Sequence, residues 1–462
     1  MKYVQLVILL LFIYDSSMTA LPASIAAVLA RGVATSAEIQ RALGLSQPSV
    51  SRALAAMGDA IVRIGQRRAA RYGLALDIPG IGSTLPVFAV SETGEPELLG
   101  RLTSLYRDQY WFDAKQTDRS EVTDGLAFFL QDLRPQGFIG RTVPQRYPEL
   151  GLPERITDWK DPDVLTYLVR RGDDGIGNIL VGDESLQRLL KQARTPIRAI
   201  DVADRHIDYL SLANAAIEGD IAGSSAGGEH PKFTCLLAKE GISRHVLVKF
   251  SPAGADPMSQ RWFDLLVSEH LAISALRVAG ITSTRTDLFS GDGQVFLEVE
   301  RFDRMGVIGR RGVVSLAAID AYLIGKRDNW TSAARSLHSL QRISNDDVER
   351  IRRVATFGRL IGNTDMHYGN LSFYQTFEGP FNLSPIYDML PMMYAPTVAN
   401  AIPNRELELP LPNAESLDIW RDMTKIAKGF WESAGSHELI SHGFKSIANR
   451  NAAIIGQASR LA

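Results

Sequence analysis

Three side chains in the C-terminal third of this 462-residue chain have the types and spacing of a phosphoryl-transfer centre. Asp365 opens the stretch Asp365-Met366-His367-Tyr368-Gly369-Asn370, and Asp388 follows in Ile386-Tyr387-Asp388. In phosphotransfer from a nucleotide, one carboxylate meets the attacking hydroxyl, while an Asn and a later Asp hold magnesium on the phosphates. The five-residue interval from Asp365 to Asn370 is that of a catalytic loop. Met389-Leu390 follows Asp388 where a standard protein kinase has Phe-Gly, so this is not a standard protein-kinase sequence. The competing reading is a polar turn with chance acids. The order of features upstream weighs against it.

Those features are the elements that must position the three side chains. Gly223-Ser224-Ser225-Ala226-Gly227-Gly228-Glu229-His230-Pro231-Lys232 precedes an apolar strand at 233–238. Glycines let backbone N–H groups approach phosphate oxygens, although the Gly-Lys-Ser/Thr ending of a Walker loop is missing. Most such loops are plain turns, and alone this one decides little. An alternating strand at 244–250 then carries Lys249, where a phosphate-binding ammonium belongs. An exposed strand lysine is the bland alternative. The helix expected over 261–278 contains Glu269, which could pair with Lys249 or simply face solvent. A third strand, 295–299, runs into Glu300-Arg301-Phe302-Asp303-Arg304. Between two lobes, such a connector offers backbone groups to adenine; otherwise it is a salt-bridged strand end.

A separate module precedes this machinery. Thr35-Ser36-Ala37-Glu38 reads as a capping box opening a short helix that stops at Gly44. Ser46 caps the next helix, with Pro48 tolerated in its first turn. Helix, Gly-containing turn and helix is a helix-turn-helix pattern. The second helix buries Val50, Ala53 and Leu54 and presents Gln47, Ser49, Ser51 and Arg52, side chains suited to a major groove. A hairpin with Arg67 and Arg68 at its tip follows. Residues 52–71 hold five arginines against one acid, Asp59, which gives a local phosphate-neutralising patch. A helical dimerisation domain with a solvated basic face is the alternative.

Bulk properties bound these readings. The net charge of −2 gives no global attraction to nucleic acid, so DNA contact must be local. A hydrophobic fraction of 45% and a charged fraction of 22% fit ordinary globular domains, more than one of them at this length. The single cysteine, Cys235, cannot form an internal disulfide, which fits a reducing compartment. Lys2 precedes an apolar run, 6–14, too short to cross a bilayer. It is similar to a secretory leader, but partners such as DNA and ATP favour a cytoplasmic protein with an upstream extension. No stable membrane insertion is expected, and a homodimer is left open. The scattered histidines show no zinc spacing.

The set Ser-Ser-Ala-Gly-Gly, Val-Lys-Phe, Val-Glu-Arg-Phe-Asp-Arg, Gly-Asn-Thr-Asp-Met-His and Tyr-Asp resembles the HipA-like serine/threonine kinases of bacterial type II toxin–antitoxin systems. The segment 45–52 likewise resembles winged helix-turn-helix repressors. The first resemblance implies ATP and Mg²⁺ as cofactors and a protein with a Ser or Thr acceptor as substrate. It implies Asp365 as catalytic base, Asn370 and Asp388 as metal ligands, and Lys249 on the ATP phosphates. Ala226, Gly227 and Gly228 would cradle phosphate, Glu300, Arg301 and Phe302 would hold adenine, and His367 would line the site. Ser224 falls at the family's autophosphorylated serine. Two departures stand out. Gly369 replaces a common basic residue, and Glu229-His230-Pro231 stands where Gln-Glu-Lys is usual, so weakened phosphate contact is expected.

The expected architecture is α+β. An apolar extension (1–17) and a winged helix-turn-helix (18–76) precede an N-terminal subdomain (84–200). A two-lobed kinase-like core with a mostly helical C-terminal lobe follows (201–462). A transcriptional regulator using a kinase-like domain as nucleotide sensor, and a small-molecule kinase, are the competing functions.

Overall fold

The computed structural model describes residues 20–65, 70–115, 120–195, 198–219, 230–375, 379–397, 399, 401–408 and 411–460. The apolar run at 6–14, the tip arginines Arg67 and Arg68, and the glycine-rich residues Ser224, Ala226, Gly227 and Gly228 lie outside them. Among the described residues no helix is long and apolar enough to cross a membrane.

The N-terminal unit has helices Ala20–Leu29, Ser36–Leu43 and Gln47–Ala56. The Thr35–Glu38 capping box forms with both reciprocal bonds, and Gly44 ends that helix in the left-handed conformation. Val50, Ala53 and Leu54 are buried against Ile25, Leu29 and Ile39. The strands Ile61–Ile64 and Arg71–Leu74 pair antiparallel, and Ala34–Thr35 adds a third strand. The unit is seated on the next domain. Leu76 N–H donates to the Ser104 carbonyl at 2.9 Å, and Ile64 packs with Leu105 and Trp111.

The middle domain is a five-stranded antiparallel sheet in the order Glu121–Asp124, Gln109–Ala114, Pro96–Leu105, Thr84–Val90, Ile179–Val181. One face packs on the helix Asp161–Arg171, whose Val164, Leu165 and Leu168 fill the core.

A second five-stranded sheet follows, in the order Thr286–Gly291, Gln294–Glu300, Ile242–Phe250, Lys232–Lys239, Ile200–Asp201. Its short edge strand lies parallel to its neighbour and the other pairings are antiparallel. The 22-residue helix Pro257–Val278, capped by Asp256, packs against this sheet. The rest is mostly helical, with Leu316–Leu323, Trp330–Ser339, Asn345–Leu360, Trp420–Ser436 and His442–Ala458. It also holds a small sheet of Val313–Ser315, Ser372–Tyr374 and Asn382–Leu383. The overall class is mixed α+β, with a cleft between the second sheet and the helical part.

Candidate active site

Lys249 stands on a strand whose alternation buries Val246, Val248 and Phe250 on one side. Its ammonium enters a cavity of about 260 Å³ at the cleft. Lys249 is 7% exposed and Glu269 1%, so neither charge is solvated by bulk water. Nζ donates to both carboxylate oxygens of Glu269 at 2.8 Å each, and to Oδ1 of Asp388. Burial alone would discharge this lysine, but Asp388 and Glu269 outweigh it and hold its pKa above the ordinary lysine value. Burial in turn raises Glu269, whereas Lys249 overcomes burial at Asp388 and keeps it low. The arrangement is one ammonium clamped between two carboxylates. Asp388 holds a left-handed backbone (φ 56°), an unusual conformation for a residue with a side chain.

The loop after Asn345–Leu360 brings in the remaining groups. Gly362 turns with φ 74°, and a Cβ there would collide with Met393. Asn363 Oδ1 accepts from Asp365 N–H at 3.0 Å, and Asn370 Nδ2 donates to the Asp365 carbonyl at 3.0 Å. The loop is thus tied across its own mouth. Asn370, His367, Gly369 and Asp388 line the cavity. The Asp365 side chain does not; it is 48% exposed at the rim. Burial raises its pKa, His367 opposes the rise and Asp388 adds to it, so the two carboxylates do act on each other. Oδ1 of Asp365 lies 4.0 Å from His367 Nε2.

The connector reaches the cavity, and Glu300, Arg301 and Phe302 all line it. Arg301 N–H already donates to the His245 carbonyl at 2.9 Å, and Thr284 Oγ1 donates to the Glu300 carbonyl at 2.7 Å. The Arg301 guanidinium grips Asp303 (2.8 Å) and lies 3.8 Å from Asp174. Arg301 therefore braces the connector, because its charge is neutralised by neighbours rather than left for a ligand. The Phe302 ring is tilted against Tyr387 at 5.7 Å.

Several cavity residues were not foreseen. Lys232 pairs directly opposite Lys249 in the antiparallel register and lines the same cavity. Burial, followed by the Lys249 charge, pushes its pKa down to about 8. It supplies a second cation where Gln-Glu-Lys was thought lost. Asp132, Gln136 and Ile176 of the middle domain also line the cavity, and Asp132 accepts from Ser315 N–H and Oγ at 2.6 Å each. The glycine-containing turn 172–178 braces the connector. Gly177 N–H donates to Asp303 at 2.9 Å, and Arg304 reaches Asp174 at 3.0 Å.

On the N-terminal unit, Gln47, Ser51 and Arg52 are exposed. Ser49 is half-buried and its hydroxyl lies 2.9 Å from that of Ser46, so it belongs partly to the helix cap.

Comparison with known proteins defines the class. Residues 224–450 match the HipA-like C-terminal domain, and residues 81–190 match the middle domain of YjjJ-like toxins. The chain is 37% identical over 434 residues to the toxin YjjJ of Escherichia coli strain K12, covering 91% of this chain and 94% of the relative. It belongs to the YjjJ family. Among solved structures, HipA from a Shewanella oneidensis MR-1 complex of HipA, HipB and operator DNA is 14% identical, with TM-score 0.46, over 81% of this chain and 96% of that one. The Helicobacter pylori proinflammatory kinase CtkA is 12% identical, with TM-score 0.34, over 49% and 92%. Both likenesses are too distant to carry an argument about this site.

Proposed function

We propose that the protein is a HipA-like toxin acting as an ATP- and Mg²⁺-dependent serine/threonine-protein kinase, with an N-terminal winged helix-turn-helix that binds DNA. One observation carries the reading: Lys249, Glu269 and Asp388, from a strand, a helix and a distant loop, meet in one buried cluster beside Asn370.

The residues present fit the cofactors. Among the described residues no group of three or more His, Cys, Asp or Glu side chains could hold a metal by itself. Mg²⁺ commonly takes one or two carboxylates plus substrate phosphates, and Asp388 with Asn370 offers such an oxygen set. Bound MgATP would supply the phosphoryl group and neutralise its charge. Lys249 and Lys232 would hold phosphate oxygens, Glu269 would keep Lys249 aimed, and Phe302 would cover the base. Asp365 would take the proton of the acceptor hydroxyl as its oxygen bonds to the γ-phosphorus and the bond to the β-phosphate oxygen breaks, releasing ADP. A raised pKa and a place at the rim suit a base that must reach a protein surface. Ser224, a candidate autophosphorylation site, and the phosphate cradle at Ala226, Gly227 and Gly228 rest on the sequence motif.

The test is transfer of labelled phosphate from ATP by the purified protein, to itself and to lysate proteins, beside Asp365→Asn. The variant should lose about two to four orders of magnitude in rate while still binding nucleotide. Wild-type transfer by the variant would overturn the site. Nucleotide binding without turnover would favour a sensor, and label on metabolites alone a small-molecule kinase.

A further inference from the structure

A second cavity lies apart from the cleft and is larger than it. A space of about 720 Å³ opens between the middle domain and the second sheet. Its lining includes the apolar side chains Ile139, Val143, Leu189 and Ile308. The lining also includes Arg146, Arg171, Arg188, Arg301, Arg304 and Arg310. Its acids, Asp173 and Asp174, are already taken: Arg188 donates to Asp173 at 3.0 Å and Arg304 to Asp174 at 3.0 Å. Arg171 pairs with Glu149 at 2.6 Å, and Arg301 with Asp303 at 2.8 Å.

That leaves two guanidiniums without a carboxylate among the described residues. Arg146 lies 5.3 Å over the Tyr147 ring. Arg310 is only 5% exposed; Nη2 donates to the Asp173 carbonyl, and Nη1 is buried with no hydrogen-bond partner. Burial and the neighbouring Arg304 push Arg310 down to about 9, yet it remains charged at neutral pH. A buried guanidinium with no carboxylate against it is costly, and Arg310 is among the side chains that line the cavity.

We propose that this cavity is a second ligand site, taking a small organic phosphate whose anionic head lies against Arg310 and Arg146 and whose apolar body lies on the lining side chains Ile139, Val143 and Leu189. The volume falls within the range of small-molecule sites, roughly 300–1,000 Å³. Guanidinium forks match phosphate geometry better than any other side chain. The site is separate from the phosphate-donor cleft, and only Arg301 is common to both linings.

Calorimetric titration of the full-length protein with phenyl phosphate and with inorganic phosphate, without nucleotide, tests this. Phenyl phosphate should bind saturably and more tightly than inorganic phosphate. Arg146→Gln, at the partly exposed wall, and Arg310→Met should each weaken it about tenfold or more, the loss expected for a charge-assisted hydrogen bond. Lys232→Met, which removes a cation of the cleft without stranding Glu269 and Asp388, should leave it unchanged. Absence of saturable binding at concentrations on the order of 1 mM overturns the proposal. So does binding that survives Arg146→Gln, which needs no buried substitution, or binding lost in Lys232→Met, which would place the phosphate in the cleft.

Discussion

The Lys249 ammonium hydrogen-bonds the Asp388 carboxylate, joining residues 139 positions apart in the chain. The contact ties the proposed metal ligand to the proposed phosphate ligand before either has its substrate. The two partners of Lys249 are not equivalent. Glu269 is the buried, bidentate one, while the Asp388 side chain is 25% exposed.

From this asymmetry Asp388→Asn should fold nearly as well as the parent, because Lys249 keeps Glu269. It should nonetheless lose phosphotransfer. Lys249→Met strands two carboxylates in the cleft, and breaking a buried pair costs on the order of 3–5 kcal/mol. Chemical denaturation of the two variants should therefore separate them clearly. Equal destabilisation would mean that Asp388 holds the fold rather than the metal.

Lys232 gives a pH prediction. Its pKa near 8 places its charge below that value in the free protein. An anion favours the charged form, so the stabilising contact is complete below pH 8. It weakens as pH rises beyond 8, up to the higher pKa of the complex. Nucleotide affinity measured from neutral pH upward should fall there by about tenfold per pH unit, the effect of one proton. Lys232→Met should bind more weakly and lose that slope. A slope that persists in the variant would assign it to another group.

The sequence makes the two lysines legible only in part. Lys249 is found from strand alternation after a glycine-rich loop. Lys232 and Lys249 are equidistant from Glu240-Gly241, where the backbone turns with φ 52° and 79°. Residues with positive φ at both turn positions make a two-residue hairpin, and the hairpin fixes which side chains face each other. That symmetry was available in the sequence and would have found Lys232. Asp132 and Ile176 were not available, since nothing local indicates that the middle domain closes the cleft. The ion pairs of Arg301 were hidden for the same reason: Asp174, which helps hold its charge, comes from the turn at 172–178. The capping box of Thr35 and Glu38, in contrast, is a wholly local device and was read from four residues.

His230 links the cleft to acid stability. Its ring is tilted against Trp262 at 4.6 Å and its Nε2 donates to the Phe250 carbonyl at 3.0 Å. Burial, then the charges of Lys249 and Lys232, push its pKa from 6.5 to about 3. A depressed folded pKa means the unfolded chain takes up the proton first. The neutral ring's contribution is complete above pH 6.5 and is lost as pH falls toward 3, by about 1.4 kcal/mol per pH unit. Stability curves of His230→Gln should be shallower than the parent's in that window. Parallel curves would show that His230 titrates normally in the folded protein.

Arg52 decides between a DNA-reading surface and a merely solvated basic face. It is exposed on Gln47–Ala56, with its Nε directed at the Pro48 carbonyl at 3.4 Å. If the side chain meets a DNA phosphate, Arg52→Ala should weaken binding to all duplex sequences alike and reduce the slope of log affinity against log salt by about one. Ser51→Ala, nearer to base edges, should instead change the preference among sequences more than the salt slope. Both effects can be read by fluorescence anisotropy over a salt series. A duplex affinity that neither substitution changes would remove this helix from the interface and leave the N-terminal unit as a packing or dimerisation module.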